Sequence, residues 1–422
     1  MKRITVLVTL AVFVLLSAMA FAQIELTVWY HDGQEFERAV IRDQIERFNA
    51  SQDRIKIVGV EIPEGTYTQQ VNAAALAGRL PDILDLDGPT VANFAWGYYL
   101  YPLDEFMTDE LMEDFLPSII QQGLYHDNIW ALGTFDSGLG FYANKSYLER
   151  VGARIPEGVE DAWTMDEFME ILYDLKGLPE VTYPIDFKIN YGVGEWFTYG
   201  FSPFWQAFGA DLIDRETFMT AEGVLNGPEG IEAGEWFQSL FTEGLAHPNP
   251  PGDAEFVEGR AALSWVGHWA FVGYNEALGD DLVLVPPPIF PAGQATGMGS
   301  WAWSITSVCE DPAAAWEFLE FILQPEEIVK MTNANGAVPS RFSAVELSEY
   351  YKEGGPLELF VEQLNTIAVE RPVTPAYPTI TSVFANAADN IIKGGDVKAI
   401  LDRAVRDIDR DIRDNDGYPF EW

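Results

Sequence analysis

The chain has 422 residues, with 66 acidic and 25 basic side chains and a formal net charge of −41 at pH 7. A surface this acidic repels nucleic acid and anionic membranes, so we expect neither as a partner. This length, with a hydrophobic content of 48%, predicts a globular protein of two or three domains that needs no disulfide to fold.

Residues 1–22 are predicted to be a secretory signal peptide. Two basic residues precede a long apolar run, and Ala20 and Ala22 stand where the cleavage rule requires small residues, so we expect cleavage before Gln23. A retained membrane anchor is the alternative, because the apolar run approaches spanning length. No cysteine stands directly after the run. The mature protein is therefore expected to carry no lipid and to be free in the periplasm.

The first part of the mature chain alternates between strand and helix patterns. In chain order these are a strand at 25–30, a helix from Phe36 to Phe48, a strand at 55–60, a helix at 67–77 and a strand at 81–88. Such alternation favours a parallel α/β sheet, in which ligands gather at the carboxyl ends of the strands. Trp29 to Asp32 and Asp85 to Gly88 stand at two such ends.

The middle and C-terminal parts have other patterns. Thr164 and Glu167 form a capping box ahead of a helix, whereas residues 177–227 are rich in glycine, proline and aromatic residues and show little periodicity. Residues 261–266 are predicted to form a buried strand that Gly267 ends. The last third is predicted to be mostly helical. There is no internal repeat and no low-complexity linker, so a passage between two lobes would run through short strands and not through one flexible tether.

Signatures of covalent and metal chemistry are absent from the sequence. The four histidines lack the spacing of metal ligands, and H-E-x-x-H, C-x-x-C, G-x-S-x-G and the phosphate loop do not occur. The one cysteine, Cys309, is expected to be a buried small hydrophobe. We therefore expect no metal, no cofactor and no enzyme activity. A secreted glycoside hydrolase stays open as an alternative, because close carboxylate pairs arise easily among 66 acidic residues.

Aromatic residues stand beside small polar residues at several predicted strand ends. Indole rings cover the apolar faces of a sugar, and carboxylates, amides and arginines bond its hydroxyl groups through charge-assisted hydrogen bonds. The pattern therefore favours a carbohydrate ligand over an apolar one. The candidate ligand contacts are Trp29, His31, Asp32, Gln34, Asp87, Asp136, Trp205, His268, Trp269, Ser300 and Trp301.

Several aromatic and polar residues near these strand ends also have a structural interpretation. Trp265 alternates within its strand and is predicted to pack in the core. In the same interpretation His31 and His268 are satisfied by backbone groups, and Asp32 and Asp87 are turn or helix-capping residues.

Longer segments resemble those of a known family. "ALAGRLPDILDLDG" is similar to A-x-x-G-x-x-P-D-[IV], and "FVEGRAALSWVGHWA" is similar to F-x-x-G-x-[AV]-A-[FM]…G-x-W. "GLYHDNIWALGTFDSGLGFYANKSYLERVG" resembles the segment that crosses between lobes, with Gly133 where the family usually has proline. In order and spacing the chain resembles the extracellular solute-binding proteins of ABC sugar importers, which include maltose- and glycerol-phosphate-type binding proteins.

The resemblance implies an α/β, two-lobed periplasmic binding protein fold. Each lobe is expected to hold a mostly parallel sheet flanked by helices, and crossover strands form the hinge. Lobe one is expected to comprise residues 24–130 with 268–318, and lobe two residues 135–265 with 322–422. The ligand is expected in the cleft between the lobes, which closes by a hinge motion. The expected partners are the membrane permease subunits of an ABC importer, and the protein itself is expected to be a monomer.

The resemblance also implies roles for single residues. Trp269 resembles the tryptophan that commonly stacks on the ligand, and Asp87 and Asp136 resemble acids that bond its hydroxyls. Arg371 lies near an arginine that some members place at the ligand, with Arg341 as its rival. The ligand is expected to be a mono- to trisaccharide. A polyol or a glycerol phosphodiester is the alternative, although the candidate clusters contain almost no basic residue for a phosphate.

Overall fold

The computed structural model describes residues 23–420. The predicted signal peptide, residues 1–22, lies outside the described residues, so its presence and cleavage stay a prediction. Within residues 23–420, none of the helices is both long enough and apolar enough to cross a membrane.

Strands and helices alternate along much of the chain. In chain order the strands are β1 (Ile24–His31), β2 (Ile55–Ile62), β3 (Ile83–Asp87), β4 (Leu100–Tyr101), β5 (Leu124–Tyr125), β6 (Asn128–Ile129), β7 (Phe135–Asp136), β8 (Leu139–Asn144), β9 (Ile185–Asp186), β10 (Leu263–Gly267), β11 (Leu282–Val285), β12 (Thr296–Gly297), β13 (Trp301–Thr306), β14 (Val338–Pro339) and β15 (Ala368–Val369). The α-helices are α1 (Glu35–Ser51), α2 (Glu64–Leu76), α3 (Val91–Trp96), α4 (Asp109–Asp114), α5 (Pro117–Gly123), α6 (Lys145–Val151), α7 (Met165–Lys176), α8 (Glu195–Phe208), α9 (Pro228–Thr242), α10 (Phe271–Leu278), α11 (Pro312–Ile322), α12 (Pro325–Asn335), α13 (Phe342–Leu347), α14 (Glu358–Thr366), α15 (Tyr377–Ile392) and α16 (Val397–Asp414).

The first sheet has the strand order β2-β1-β3-β13-β4. β1 pairs in parallel with both β2 and β3, which confirms the parallel α/β sheet predicted for the first part of the mature chain. β13 comes from much later in the sequence and pairs antiparallel with β3, so that Trp301 lies opposite Asp87 and Trp303 opposite Asp85. Because β1 and β3 are parallel, their last residues, His31 and Asp87, lie at the same edge of the sheet.

The second sheet has the strand order β11-β8-β10-β9. β10 is parallel to β9 and antiparallel to β8, and β11 is antiparallel to β8. Both sheets therefore contain parallel pairs but are mixed, where the sequence predicted mostly parallel sheets. The difference arises because β13 in the first sheet and β11 in the second each run against a strand from the first half of the chain.

Three clusters of buried apolar side chains flank the two sheets, and one of them draws side chains from both, such as Val28 on β1 and Tyr142 on β8. In the core of the second sheet, Phe141 on β8 and Trp265 on β10 are fully buried, which confirms the structural interpretation of Trp265. In the core of the first sheet, Val28 and Ile305 are fully buried, and Cys309 is buried as predicted. Burying a side chain of such size stabilises the fold by about 1.5–3 kcal/mol relative to leaving it exposed.

The division of the chain into two lobes with the predicted boundaries stays a prediction, and two segments pack differently from it. α12 falls within 322–422, predicted for lobe two, but packs against α1, where Arg47 donates to Glu327 from both Nη1 and Nη2 at 2.6 and 2.5 Å. β11 falls within 268–318, predicted for lobe one, but pairs with β8 in the second sheet.

The C-terminal segment, residues 415–420, packs beside the first sheet. It follows α16, whose apolar face is buried in the core of the second sheet. The indole Nε1 of Trp96, at the end of α3, donates to the carbonyl oxygen of Pro419 at 2.9 Å. The ring of Phe420 stacks on His126 with 4.8 Å between the ring centroids. Residues 419–420 therefore pack beside the first sheet, although α16 packs in the core of the second.

Candidate functional site between the two sheets

A buried arginine joins side chains from the two halves of the molecule. Arg371 Nη2 and Nη1 donate to the two carboxylate oxygens of Asp87, at the end of β3, at 3.0 and 3.2 Å. Nη1 also donates to Glu195, the first residue of α8, at 2.8 Å. The guanidinium carbon lies 4.7 Å from the ring centre of Tyr199. Burial disfavours the charge, yet Asp87 and Glu195 hold the pKa of Arg371 well above its ordinary value. These four residues form what we name the Arg371 cluster.

Glu195 is itself held by hydroxyl groups of α15. Tyr377 donates to its Oε1, and Thr381 donates to its Oε2 at 2.6 Å. Burial raises the pKa of Glu195, whereas Arg371 favours its ionised form. The carboxylate therefore bonds Arg371 from one side and α15 from the other, which fixes the arginine between the two sheets.

Trp301 forms one wall of the site. It is the first residue of β13, directly opposite Asp87. The imidazole of His31 stacks on its ring with 3.7 Å between the centroids. The Nδ1 of His31 lies 2.5 Å from Asp85 Oδ2, so the histidine is buried behind Trp301 in a charged pair.

Trp269 forms a second wall, where its ring lies 6.4 Å from that of Tyr199 between centroids. Its indole Nε1 donates to the hydroxyl of Tyr191 at 3.3 Å, and its ring lies 6.0 Å from Trp196 between centroids. A Cβ on Gly267 would lie 2.1 Å from Cζ3 of Trp269, so only glycine leaves room for the indole at the end of β10. His268 is buried beside it, and its Nδ1 donates to the carbonyl oxygen of Asn335 at 3.0 Å. Burial lowers the pKa of His268 to about 4, so this imidazole is neutral at pH 7.

Asp136 and Ser300 lie in the crossover region next to the Arg371 cluster. Asp136, at the end of β7, is fully buried, and its Oδ1 accepts hydrogen bonds from the backbone N–H groups of Ser137 and Gly299 at 2.7 and 2.9 Å. The Ser300 N–H donates to Gln122 Oε1 at 2.5 Å. Burial raises the pKa of Asp136, while the backbone bonds lower it. Asp136 therefore fixes the backbone that leads into β13.

Three other candidates lie at the end of β1. Trp29 is half-buried against the apolar cluster that contains Leu84 and Leu86 of β3. Asp32 Oδ1 accepts from the Glu64 N–H at 2.8 Å, which matches its structural interpretation as a residue that binds a helix start. Gln34 is exposed at the N-cap of α1 and makes no side-chain capping bond.

Two candidates lie away from the site, which corrects their assignment as ligand contacts. Trp205 is fully buried on α8, where it packs against Phe237 and Phe384 in the second core. Arg341 donates to Asp114 at 2.7 Å and to the Leu323 carbonyl at 2.8 Å. Arg371, not its rival Arg341, is therefore the arginine beside Asp87.

Sequence reasoning missed part of the site. Glu195, Tyr199 and Tyr377 contact Arg371 or its partners but were not candidates. Glu195 and Tyr199 lie in the segment rich in glycine and aromatic residues. That composition was visible, but nothing in it distinguished a glutamate at a helix start from the many other acids.

A small pocket that opens to solvent lies beside the Trp301 wall. Asp87 and Trp301 form one side of it, and Tyr67, Thr68 and Val71 of α2 form another. Among the described residues, no group of three or more His, Cys, Asp or Glu side chains is arranged to hold a metal ion.

Sequence comparison assigns the chain to a family. Residues 32–328 match the family model described as bacterial extracellular solute-binding protein. A maltotriose-binding protein of Pyrococcus abyssi (strain GE5 / Orsay) is 24% identical over 398 residues, which cover 91% of this chain and 82% of that protein.

Solved structures share the fold. The cyclic alpha-maltosyl-1,6-maltose binding protein from Arthrobacter globiformis superposes with a TM-score of 0.76 at 23% identity, covering 93% of this chain and 100% of that one. The GacH receptor of Streptomyces glaucescens GLA.O has a TM-score of 0.76 at 21% identity, covering 93% of this chain and 98% of that one. The predicted α/β, two-lobed binding-protein fold is therefore confirmed, and the chain belongs to the bacterial extracellular solute-binding protein family.

Proposed function

We propose that the protein is the substrate-binding component of an ABC importer and binds a sugar, from a mono- to an oligosaccharide, between its two lobes. The observation that carries the proposal is the Arg371 cluster, which has Trp301 beside Asp87 and Trp269 beside Tyr199. Two indole walls around a set of charged hydrogen-bonding groups match a ligand with apolar ring faces and a rim of hydroxyls.

The cluster supplies the two kinds of contact that a sugar needs. The indole rings remove C–H surface from water, which stabilises binding by roughly 25 cal/mol per Å² of apolar area. Asp87 and Glu195 accept hydrogen bonds from hydroxyls, and Arg371 donates to their oxygens, both as charge-assisted bonds. These groups bond one another across the site. We expect sugar hydroxyls to take over part of these bonds.

Binding is coupled to closure in this proposal. A ligand favours the closed form because only that form brings contacts from both lobes to it at once. Asp136 and Ser300 lie where strands cross between the sheets, so we assign them to the hinge and not to direct ligand contact. His31 and His268 are buried behind the walls, so their effect on a ligand passes through Trp301 and Trp269.

The relatives support a saccharide ligand. The Pyrococcus abyssi protein is named for maltotriose, and the Arthrobacter globiformis protein for cyclic alpha-maltosyl-1,6-maltose. We extend this chemistry to the present chain as part of the proposal. We also propose that the protein is secreted, acts as a monomer in the periplasm and delivers the sugar to membrane permease subunits.

The experiment is a thermal-shift screen of the mature protein against sugars, polyols and glycerol phosphates. A ligand that binds only the folded state stabilises it by about 2.7 kcal/mol at a hundredfold excess over Kd, which is an easily measured shift. Trp269→Ala is the test variant and Trp205→Phe its control, because Trp205 lies in the second core.

A shift with one or more sugars, reduced in Trp269→Ala only, supports the proposal. A shift with a polyol or a glycerol phosphodiester alone overturns the sugar assignment. Turnover of aryl glycosides would show that the protein is a glycoside hydrolase and would overturn the proposed transport function.

A further inference from the structure

A buried histidine lies flat against one face of Trp301. The ring centroids of His31 and Trp301 are 3.7 Å apart, with 11° between the ring planes. Tyr67 meets both rings edge-on, at 81° to His31 and 85° to Trp301, and its hydroxyl donates to the Trp29 carbonyl at 3.2 Å. One face of the indole is therefore covered by the imidazole, and its edge is packed against α2.

Carboxylates from three elements face the imidazole. The Nδ1 of His31 lies 2.5 Å from Asp85 on β3, and its Nε2 lies 3.6 Å from Glu37 on α1. Glu64, at the start of α2, adds a third negative charge. Burial disfavours a charged imidazole, but these carboxylates outweigh it and raise the pKa of His31 to about 9. At neutral pH, His31 is therefore an imidazolium stacked on an indole, an attractive arrangement in a desolvated site.

We propose that His31, paired with Asp85, is a positioning residue that fixes the plane of Trp301 on which the sugar stacks. This inference rests on the proposed function and deepens it, because it assigns stacking to the face of Trp301 that His31 leaves uncovered. Trp301 lies opposite Asp87 in the sheet. The β3–β13 pair thus fixes both the indole on which the sugar stacks and the Asp87 carboxylate that binds its hydroxyls. A tilt of the indole would change the distance and angle between these two contacts.

Affinity as a function of pH separates this role from simple core packing. A histidine that only fills the core would affect stability but not the pH dependence of sugar affinity. A positioning imidazolium loses its attraction to Trp301 as it loses its proton. The useful range is pH 7–10, because burial raises the pKa of Glu37 to about 6 and this neighbour stays ionised throughout.

The experiment compares the wild type with the double variant His31→Phe/Asp85→Asn. Phenylalanine keeps a flat ring under Trp301, and asparagine removes a carboxylate that would otherwise be buried without its partner. Calorimetry gives Kd for the best sugar of the screen at pH 7, 8, 9 and 10. We expect wild-type affinity to fall about tenfold between pH 8 and 10, and the double variant to bind about fivefold more weakly at pH 7 with no further alkaline loss.

His268→Gln is the matched control, because this second buried histidine is neutral at pH 7 and lies beside the other wall. It should keep the alkaline loss of the wild type. Equal alkaline loss in the wild type and the double variant would overturn the proposal, as would equal affinity at pH 7.

Tryptophan fluorescence without ligand gives a second readout. We expect a change with a midpoint near pH 9 in the wild type, absent from the double variant and from Trp301→Phe. No such change in the wild type would overturn the His31–Trp301 coupling. If the change is present but no sugar binds, the proposed function fails while the coupling stands.

Discussion

The two walls of the site each pair a buried histidine with a tryptophan, but in opposite electrostatic states. His31 stacks on Trp301 at 3.7 Å and faces Asp85, which keeps it charged. His268 meets Trp269 edge-on, at 5.3 Å and 86°, and faces a backbone carbonyl, which leaves it neutral. The same two residue types therefore give a Trp301 wall that packs against a charged imidazolium and a Trp269 wall that packs against a neutral imidazole.

The difference shows that the partner of a buried histidine decides its state. A carboxylate opposite His31 offsets the cost of burying the charge, whereas a carbonyl oxygen opposite His268 does not. The Trp301 wall should consequently respond to alkaline pH and the Trp269 wall to steric change. The four predictions below test this contrast.

Arg371→Met should have the largest effect, because Arg371 bonds both Asp87 and Glu195 between the two walls. Methionine keeps the apolar stem but leaves two partly buried carboxylates without their cation. Removing one partner of a buried pair costs about 3–5 kcal/mol, and the partial exposure of both acids places the expected loss at about 3 kcal/mol. Urea unfolding at pH 7 measures it. Arg371→Lys, which keeps the charge, should lose less, and equal losses would contradict the bidentate role.

The pH dependence of stability should differ in sign between the two histidines. The pKa of His31 is raised from 6.5 to about 9, so its contribution is complete below pH 6.5 and disappears as the pH rises through 9. The pKa of His268 is lowered to about 4, so its contribution is complete above pH 6.5 and disappears as the pH falls through 4. Each contribution is on the order of 3 kcal/mol. Urea unfolding from pH 4 to 10 measures both.

Variants show which histidine causes each loss of stability. We call the loss above pH 6.5 the alkaline arm of the pH profile and the loss below pH 6.5 its acidic arm. His31→Phe/Asp85→Asn should flatten the alkaline arm alone, and His268→Gln should flatten the acidic arm alone. The pKa of Glu37 is raised to about 6, so its ionisation lowers the stability of the fold as the pH rises from 4.5 through 6. This contribution of Glu37 is complete before the alkaline loss from His31 begins. An alkaline arm that survives in the double variant would show that another group causes it.

Gly267→Ala should damage the Trp269 wall. The new Cβ would lie 2.1 Å from the indole, so the ring must move or β10 must shift. Overpacking of this kind costs about 1–3 kcal/mol. Thermal unfolding and sugar affinity should both worsen. Gly273→Ala is the control, because nothing lies within 4 Å of its Cβ position. An unchanged affinity in Gly267→Ala would mean that Trp269 does not need its present position.

Trp269→Ala should have the smallest effect on stability and a clear effect on binding. The indole is only partly buried, so its loss leaves the second core intact. We expect sugar affinity to fall at least about tenfold, or 1.4 kcal/mol, by calorimetry. Trp205→Phe should do the reverse, with lower stability and unchanged affinity. A large stability loss with unchanged affinity in Trp269→Ala would make Trp269 a core residue.

Sequence patterns predicted those elements of the fold that depend on interactions between neighbouring residues. The alternation in β1, the capping box at Thr164 and the strand that ends at Gly267 all follow from neighbouring residues, and all are present. The pairing of β11 with β8 could not be predicted, because it joins residues that are far apart in the chain. Only tertiary packing decides such a register.

The candidate site was partly predictable for the same reason. Gly267 separated buried Trp265 from Trp269 in the sequence, and Trp301 followed a glycine-rich loop. Trp205 was misassigned because Pro203 hid the helical spacing of its neighbours, although α8 continues through this proline. Glu195 was missed because its partner Arg371 is 176 residues away in the chain, and no local pattern links them.

The C-terminal segment has a consequence for how the molecule unfolds. A protein with two separate cores commonly melts in two steps, since each core can lose its structure alone. Here, residues 415–420 tie α16 to the first sheet, where Trp96 bonds Pro419 and Phe420 stacks on His126. One cluster of buried apolar side chains also draws on both sheets, so the lobes should lose their structure together as one cooperative unit.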